Sequence, residues 1–110
     1  ISAFMGTQVE NCYFPRLITV GAFAFKGCKI KILNEENFLA LQSVGKAGFM
    51  DCPIETLNLP NLKQICDFGF CDTQITHIRL PQLISIGKNG FCRCRNLISL
   101  DLPSMKEIGE

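Results

Sequence analysis

The sequence predicts a curved repeat solenoid, mainly β or α/β, with a short parallel sheet and about five coils in 110 residues. Three observations predict it. Phenylalanine recurs as Phe4, Phe25, Phe49, Phe70 and Phe91, at intervals of 21, 24, 21 and 21 residues. The residues flanking each phenylalanine repeat in chemistry as well as in spacing. A stretch later in each unit alternates apolar and polar residues in the manner of a short strand, most clearly Ile75-Thr76-His77-Ile78-Arg79-Leu80. One such unit cannot bury its apolar face alone, so neighbouring units must stack and share a core.

The elements of the unit follow in order. Before each anchor phenylalanine stands Ala3, Ala24, Gly48, Gly69 or Gly90, which points to a tightly packed backbone. Three residues after it stand Thr7, Cys28, Cys52, Thr73 or Cys94, a column of small, weakly polar residues. Then come Val9, Ile30, Ile54, Ile75 and Leu97, followed by Cys12, Leu33, Leu57, Ile78 and Leu100, which read as core because buried cysteine behaves as a small hydrophobe. Phe14-Pro15, Leu59-Pro60, Leu80-Pro81 and Leu102-Pro103 end the strand, with Leu17, Leu62, Leu83 or Met105 two residues beyond the proline. Each unit closes on Val20, Val44, Ile65, Ile86 or Ile108, followed by Gly21, Gly45, Cys66, Gly87 or Gly109, a column suited to a tight or positive-φ turn. Stacked strands about 4.8 Å apart make a parallel sheet on the order of 20 Å across.

Composition excludes several other classes. With 47% hydrophobic and 19% charged residues the chain is too apolar to stay disordered. Eleven basic residues against 10 acidic ones, with no basic run of four, leave no footprint for nucleic acid. No apolar stretch approaches the roughly 20 residues that cross a bilayer, so membrane insertion is not expected of this segment. Seven cysteines, an odd number, cannot all pair within the chain. There is no Cys-x-x-Cys, and His77 is the sole histidine, so no metal site and no cofactor are expected.

The run Leu80-Pro81-x-Leu83-x-x-Ile86-Gly87-x-x-x-Phe91-x-x-Cys94-x-x-Leu97-x-x-Leu100-x-Leu102-Pro103 resembles the BspA-like, or treponemal-type, leucine-rich repeat. The resemblance covers essentially all of residues 1–110. The chain begins within one repeat and stops at Glu110 within another, without a polar cap at either end, so a single solenoid segment of a longer array is expected, its uncapped ends open to self-association. The resemblance implies a surface protein, extracellular or cell-surface in location and often adhesive, with no catalytic residues. One unit departs from the pattern. It is three residues longer than the others and has Glu35 and Glu36 where an apolar residue and proline are expected. The insertion is expected to loop out, with Asn34-Glu35-Glu36-Asn37 starting a helical turn that Phe38-Leu39-Ala40-Leu41 continues, because asparagine caps helices and acids suit their N-termini.

In a Leu-x-x-Leu-x-Leu strand the residues between the inward aliphatics face out. Stacking gives an outer stripe of Asn11 and Tyr13, Ile32 and Asn34, Thr56 and Asn58, His77 and Arg79, then Ser99 and Asp101. Tyr13, Asn34, Asn58, His77, Arg79 and Asp101 are the candidate protein-binding residues, since tyrosine and arginine are enriched at interface hot spots. The leading function is therefore a non-enzymatic module that binds a host or matrix protein; the alternative is a spacer solenoid with no ligand. His77 reads as a solvated side chain rather than a catalytic base, because a base needs a positioned partner. Cys28, Cys52 and Cys94 read as unreactive core thiols. Cys71 and Cys92 share a column in adjacent coils; strand spacing brings them within bridging range, but parallel side chains oppose the torsion, so thiols are favoured there too. The phenylalanines read as a structural ladder rather than a ligand box.

Overall fold

The chain winds into a stack of coils in which two parallel sheets and a ladder of tight turns enclose one core. The computed structural model describes residues 5–6, 12–105 and 107–108; Phe4, Thr7, Val9, Asn11 and Gly109 of the repeat columns lie outside them. In chain order the strands are β1 (Thr19–Val20), β2 (Ile32–Leu33), β3 (Ser43–Val44), β4 (Thr56–Asn58), β5 (Gln64–Ile65), β6 (His77–Arg79), β7 (Ser85–Ile86), β8 (Ser99–Asp101) and β9 (Glu107–Ile108). The even-numbered strands form the expected sheet in the order β2-β4-β6-β8. The odd-numbered strands form a second sheet, β1-β3-β5-β7-β9, that the sequence pattern did not announce. Its strands are two residues long, too short for alternation to be visible. Both sheets are wholly parallel in the pairings seen, with Val20↔Val44↔Ile65↔Ile86↔Ile108 in register along the second. Those five positions delimit four complete turns of the solenoid rather than five coils. No helix occurs among the described residues, so the fold is mainly β.

The core columns of the inner coils are filled as their spacing predicted, whereas Leu97 and Leu100, read as members of the same columns, are 37% and 55% exposed in the last described coil, where no described coil lies over them. Ile30, Ile54 and Ile75, Leu33, Leu57 and Ile78, and Leu59, Leu62, Leu80 and Leu83 are all buried. The anchor rings of Phe25, Phe49, Phe70 and Phe91 stack with centroids 5.2, 5.4 and 5.6 Å apart and nearly parallel planes. Because the coil repeat and the offset-stacking distance nearly coincide, one ring per coil makes a continuous aromatic column.

The long unit is accommodated differently from expectation. The Phe38 N–H donates to the Asn34 carbonyl at 3.0 Å, which closes one helical turn, and the chain then straightens instead of continuing as helix. Asn34 does cap that turn, its Oδ1 accepting from the Glu36 N–H at 2.9 Å, and Glu35 and Glu36 stay exposed. The residues after the bulge return to register: Phe38 and Leu41 are fully buried. The Phe14 N–H donates to the Asn37 carbonyl, just as the Leu59 N–H donates to Arg79 and the Leu80 N–H to Asp101. Phe38 thus occupies the column of Phe14, Leu59 and Leu80, and it meets Phe25 and Phe49 edge-on at 6.1 and 5.9 Å. Burying a phenylalanine is worth far more than extending a short polar helix, which decides the outcome.

The turn face also corrects an expectation. Positive φ falls not on the Gly45 and Gly87 column but two residues either side of each anchor: Phe23, Ala47, Phe68 and Asn89 before it, Gly27, Asp51, Asp72 and Arg93 after it, with φ between 53 and 75°. Each of these residues that has a described coil above it turns its N–H toward that coil, as in Ala47 to Asp67 at 2.9 Å and Asp72 to Cys92 at 2.8 Å. The amides immediately before and after each anchor close tight turns within the coil, such as Gly69 to Cys66 and Cys71 to Phe68, while the anchor's own amide reaches the next coil, as in Phe70 to Gly90 at 2.8 Å. The backbone therefore spends its amides alternately within and between coils, and the hydrogen bonds offset the cost of left-handed residues. Glycine at position 45 serves close approach instead, since a Cβ there would lie 2.9 Å from three backbone atoms of the coil below.

Candidate functional site

The outer face of the β2-β4-β6-β8 sheet gathers most of the predicted stripe. Register pairs Ile32↔Thr56↔His77↔Ser99 in one column and Asn58↔Arg79↔Asp101 in the other. Each strand alternates an exposed, a buried and an exposed residue because Leu57 and Ile78 point to the core, while the whole of β8 is exposed. Arg79 and Asp101 form an ion pair at 3.5 Å with both side chains more than half exposed. Such a pair adds little stability and leaves both groups available to a partner. His77 is exposed, and its Nδ1 lies 3.0 Å from Thr76 Oγ1, with a neighbouring hydroxyl rather than a carboxylate as its partner. Tyr13 is 73% exposed beside Asn37, where the Phe14 amide bond places it.

Asn34 does not join these residues. The bulge carries it out of the column, its N–H donates to Asn37 Oδ1 at 2.9 Å, and its carboxamide oxygen is spent on Glu36. Asn37 stands in its place, with Nδ2 donating to the Ile32 carbonyl at 2.7 Å. Counting back from Val44 rather than forward from Leu33 would have found it. Ile32, the apolar member of the outer stripe, is half exposed on the same face beside Thr56.

The cysteines divide into two groups. Cys28 and Cys52 are buried and Cys94 is half-buried. Cys52 Sγ donates to the Phe25 carbonyl of the coil below at 3.0 Å, and burial pushes its thiol up to about 12. Burial likewise raises the Cys12 thiol, helped by the neighbouring Cys28. Cys71 and Cys92, by contrast, form a disulfide across adjacent coils, with Cα atoms 4.5 Å apart. The expectation of thiols at this pair is thus overturned: the turn face, unlike a pleated strand, lets two equivalent side chains lean toward each other.

No group of three or more potential metal-ligating side chains occurs among the described residues, and no helix among them is long and apolar enough to cross a membrane. The sequence matches the family model described as BspA type leucine rich repeat region, in six copies over residues 1–110. Neither a curated protein nor a solved structure matches it.

Proposed function

Because this chain belongs to the BspA type leucine-rich repeat family, we propose that it is a binding module of a cell-surface protein and that it holds a host or matrix protein on its outer sheet face. The family is one of protein-interaction repeats, generally non-enzymatic and typically surface-associated. The observation that supports this face is the juxtaposition of exposed Asn58, His77, Arg79 and Asp101 on the paired strands β4, β6 and β8, next to the half-exposed Ile32 on β2, with exposed Tyr13 preceding Phe14, whose amide bonds to Asn37. A rigid sheet holds those side chains at fixed spacing, so little ordering entropy is lost when a partner docks. Asn37 takes the part the sequence assigned to Asn34.

The test is a surface-binding assay of the chain against a panel of purified extracellular-matrix proteins. For any protein that binds, His77→Ala/Arg79→Ala is expected to weaken affinity by about 1 to 3 kcal/mol, with thermal stability nearly unchanged because neither side chain enters the core. Lys46→Ala, on the turn side of the molecule, should leave binding as it was. Equal losses from both variants, or none from the double variant, would assign recognition to another surface.

A further inference from the structure

We propose that Asn89 is a latent deamidation site, held closed by the native turn and converted to aspartate or isoaspartate only when that turn opens, so that the chain keeps a permanent chemical record of opening. Of the asparagines in the chain only Asn89 is followed by glycine, in Lys88-Asn89-Gly90. Glycine has no side chain to hinder the approach of its own nitrogen to the preceding carboxamide. The dipeptide is therefore reactive by composition, and the fold decides whether it reacts.

Three features of the turn oppose reaction. The first is conformation. Asn89 has a φ of 56°, in the left-handed region where ψ is about +47°. At that ψ the Gly90 nitrogen lies on the far side of the Cα–C bond from the Asn89 side chain, out of reach of Cγ, and ring closure needs a rotation of more than a right angle. The second feature is what the rotation would break. The Gly90 N–H donates to the Gly87 carbonyl at 3.2 Å, the Asn89 carbonyl accepts from the Cys92 N–H at 3.2 Å, and the Gly90 carbonyl accepts from the Phe70 N–H of the coil below at 2.8 Å. The third is the anchorage of the preceding residue. The Lys88 N–H donates to Asp67 Oδ1 at 2.8 Å, and the Lys88 carbonyl accepts from the Phe68 N–H at 3.1 Å. Asn89 is only partly buried, so water reaches it once the turn opens.

The chemistry balances with water as the only co-reactant. In the opened turn the Gly90 nitrogen gives up its proton and bonds to Asn89 Cγ, and the carboxamide nitrogen leaves with that proton as ammonia. The ring so formed is a succinimide. Water then opens it: addition at Cγ leaves aspartate, whereas addition at the main-chain carbonyl carbon leaves isoaspartate, whose backbone runs through Cβ and Cγ. Neither product reverts, because the ammonia has gone and a carboxylate does not re-form an amide unaided.

The experiment incubates the native chain in mildly alkaline buffer and, in parallel, the same chain in guanidinium chloride, and follows each asparagine by peptide mapping with mass spectrometry and an isoaspartate-specific methylation assay. In denaturant Asn89 should react ahead of every other asparagine. Folding should slow it by about a hundredfold or more, since fast opening and closing make the rate follow the open fraction. Asp67→Ala removes an exposed side chain that holds the Lys88 N–H; it should raise the native rate severalfold and leave the rate in denaturant unchanged. A native rate within about threefold of the denatured one, another asparagine reacting first in denaturant, or an unaltered native rate in Asp67→Ala would each overturn the proposal. These measurements need no binding partner and stand apart from the function of the sheet face.

Discussion

At the scale of single residues, the anchor phenylalanines and the small column three positions later do different work. Phe70 is fully buried between Phe49 and Phe91, in ring contact with both. Phe70→Ala should cost about 3 to 5 kcal/mol, because coils pinned by hydrogen bonds above and below cannot collapse into the void. Denaturant titration would show it, and a loss under about 1 kcal/mol would take the ring out of the core. Cys52 makes a separate prediction. Its thiol is raised from 9.0 to about 12 on folding, so its contribution is complete below pH 9 and is lost as pH climbs toward 12. Stability measured across that alkaline window should fall in the wild type and fall less in Cys52→Thr. Threonine suits the site because Thr73 already fills that column and donates to Phe70 at 3.0 Å.

At the scale of the coil, the small residue before each anchor sets how closely the turn face approaches the second sheet. A Cβ at Gly69 would lie 2.6 Å from Ile65 Cγ2, and one at Gly48 would lie 2.8 Å from Val44 Cγ1. Gly69→Ala should therefore destabilise by about 1 to 3 kcal/mol through overpacking. Gly69→Ala combined with Ile65→Leu, which removes the crowding Cγ2 methyl while conserving side-chain volume, should recover part of that loss. Thermal denaturation of the three proteins decides it, and an Ala variant as stable as wild type would mean that the column is small for some other reason. Ala24 occupies the same position before Phe25 and is buried, so the column holds nothing larger than a methyl group, and the fit of that methyl depends on the local neighbours.

At the scale of the whole molecule, a stack of coils behaves as a nearest-neighbour chain. Phe49 touches Phe70, whereas Phe25 reaches Phe70 only through Phe49. The Phe49→Leu/Phe70→Leu pair should depart from additivity by more than about 0.5 kcal/mol, and Phe25→Leu/Phe70→Leu should add within about that margin. Equal coupling in both cycles would mean that the solenoid transmits strain through its length rather than from coil to coil. The same logic explains why a three-residue bulge beside Asn34 disturbs so little. Register is restored at Phe38 within the coil, and the next coil meets a normal neighbour.

Much of this was determined by sequence alone. Periodic phenylalanines, leucines and small residues established the solenoid, the core columns, the parallel sheet and most of the outer stripe, because a repeat imposes the same packing requirement at every turn and so writes it repeatedly. The tertiary structure decided what no single periodicity encodes. The second sheet has strands of two residues, and its identity lies in backbone pairing between coils rather than in side-chain alternation. Positive φ at Ala47, Asp51 and Asp72 follows from amides turning toward the next coil, so residue type was a poor guide to it. Asn37 replaced Asn34 on the stripe because burial of Phe38 outweighed local helix signals. Cys71 and Cys92 bonded because the turn face brought two side chains together at a distance that chain spacing bounds but does not orient.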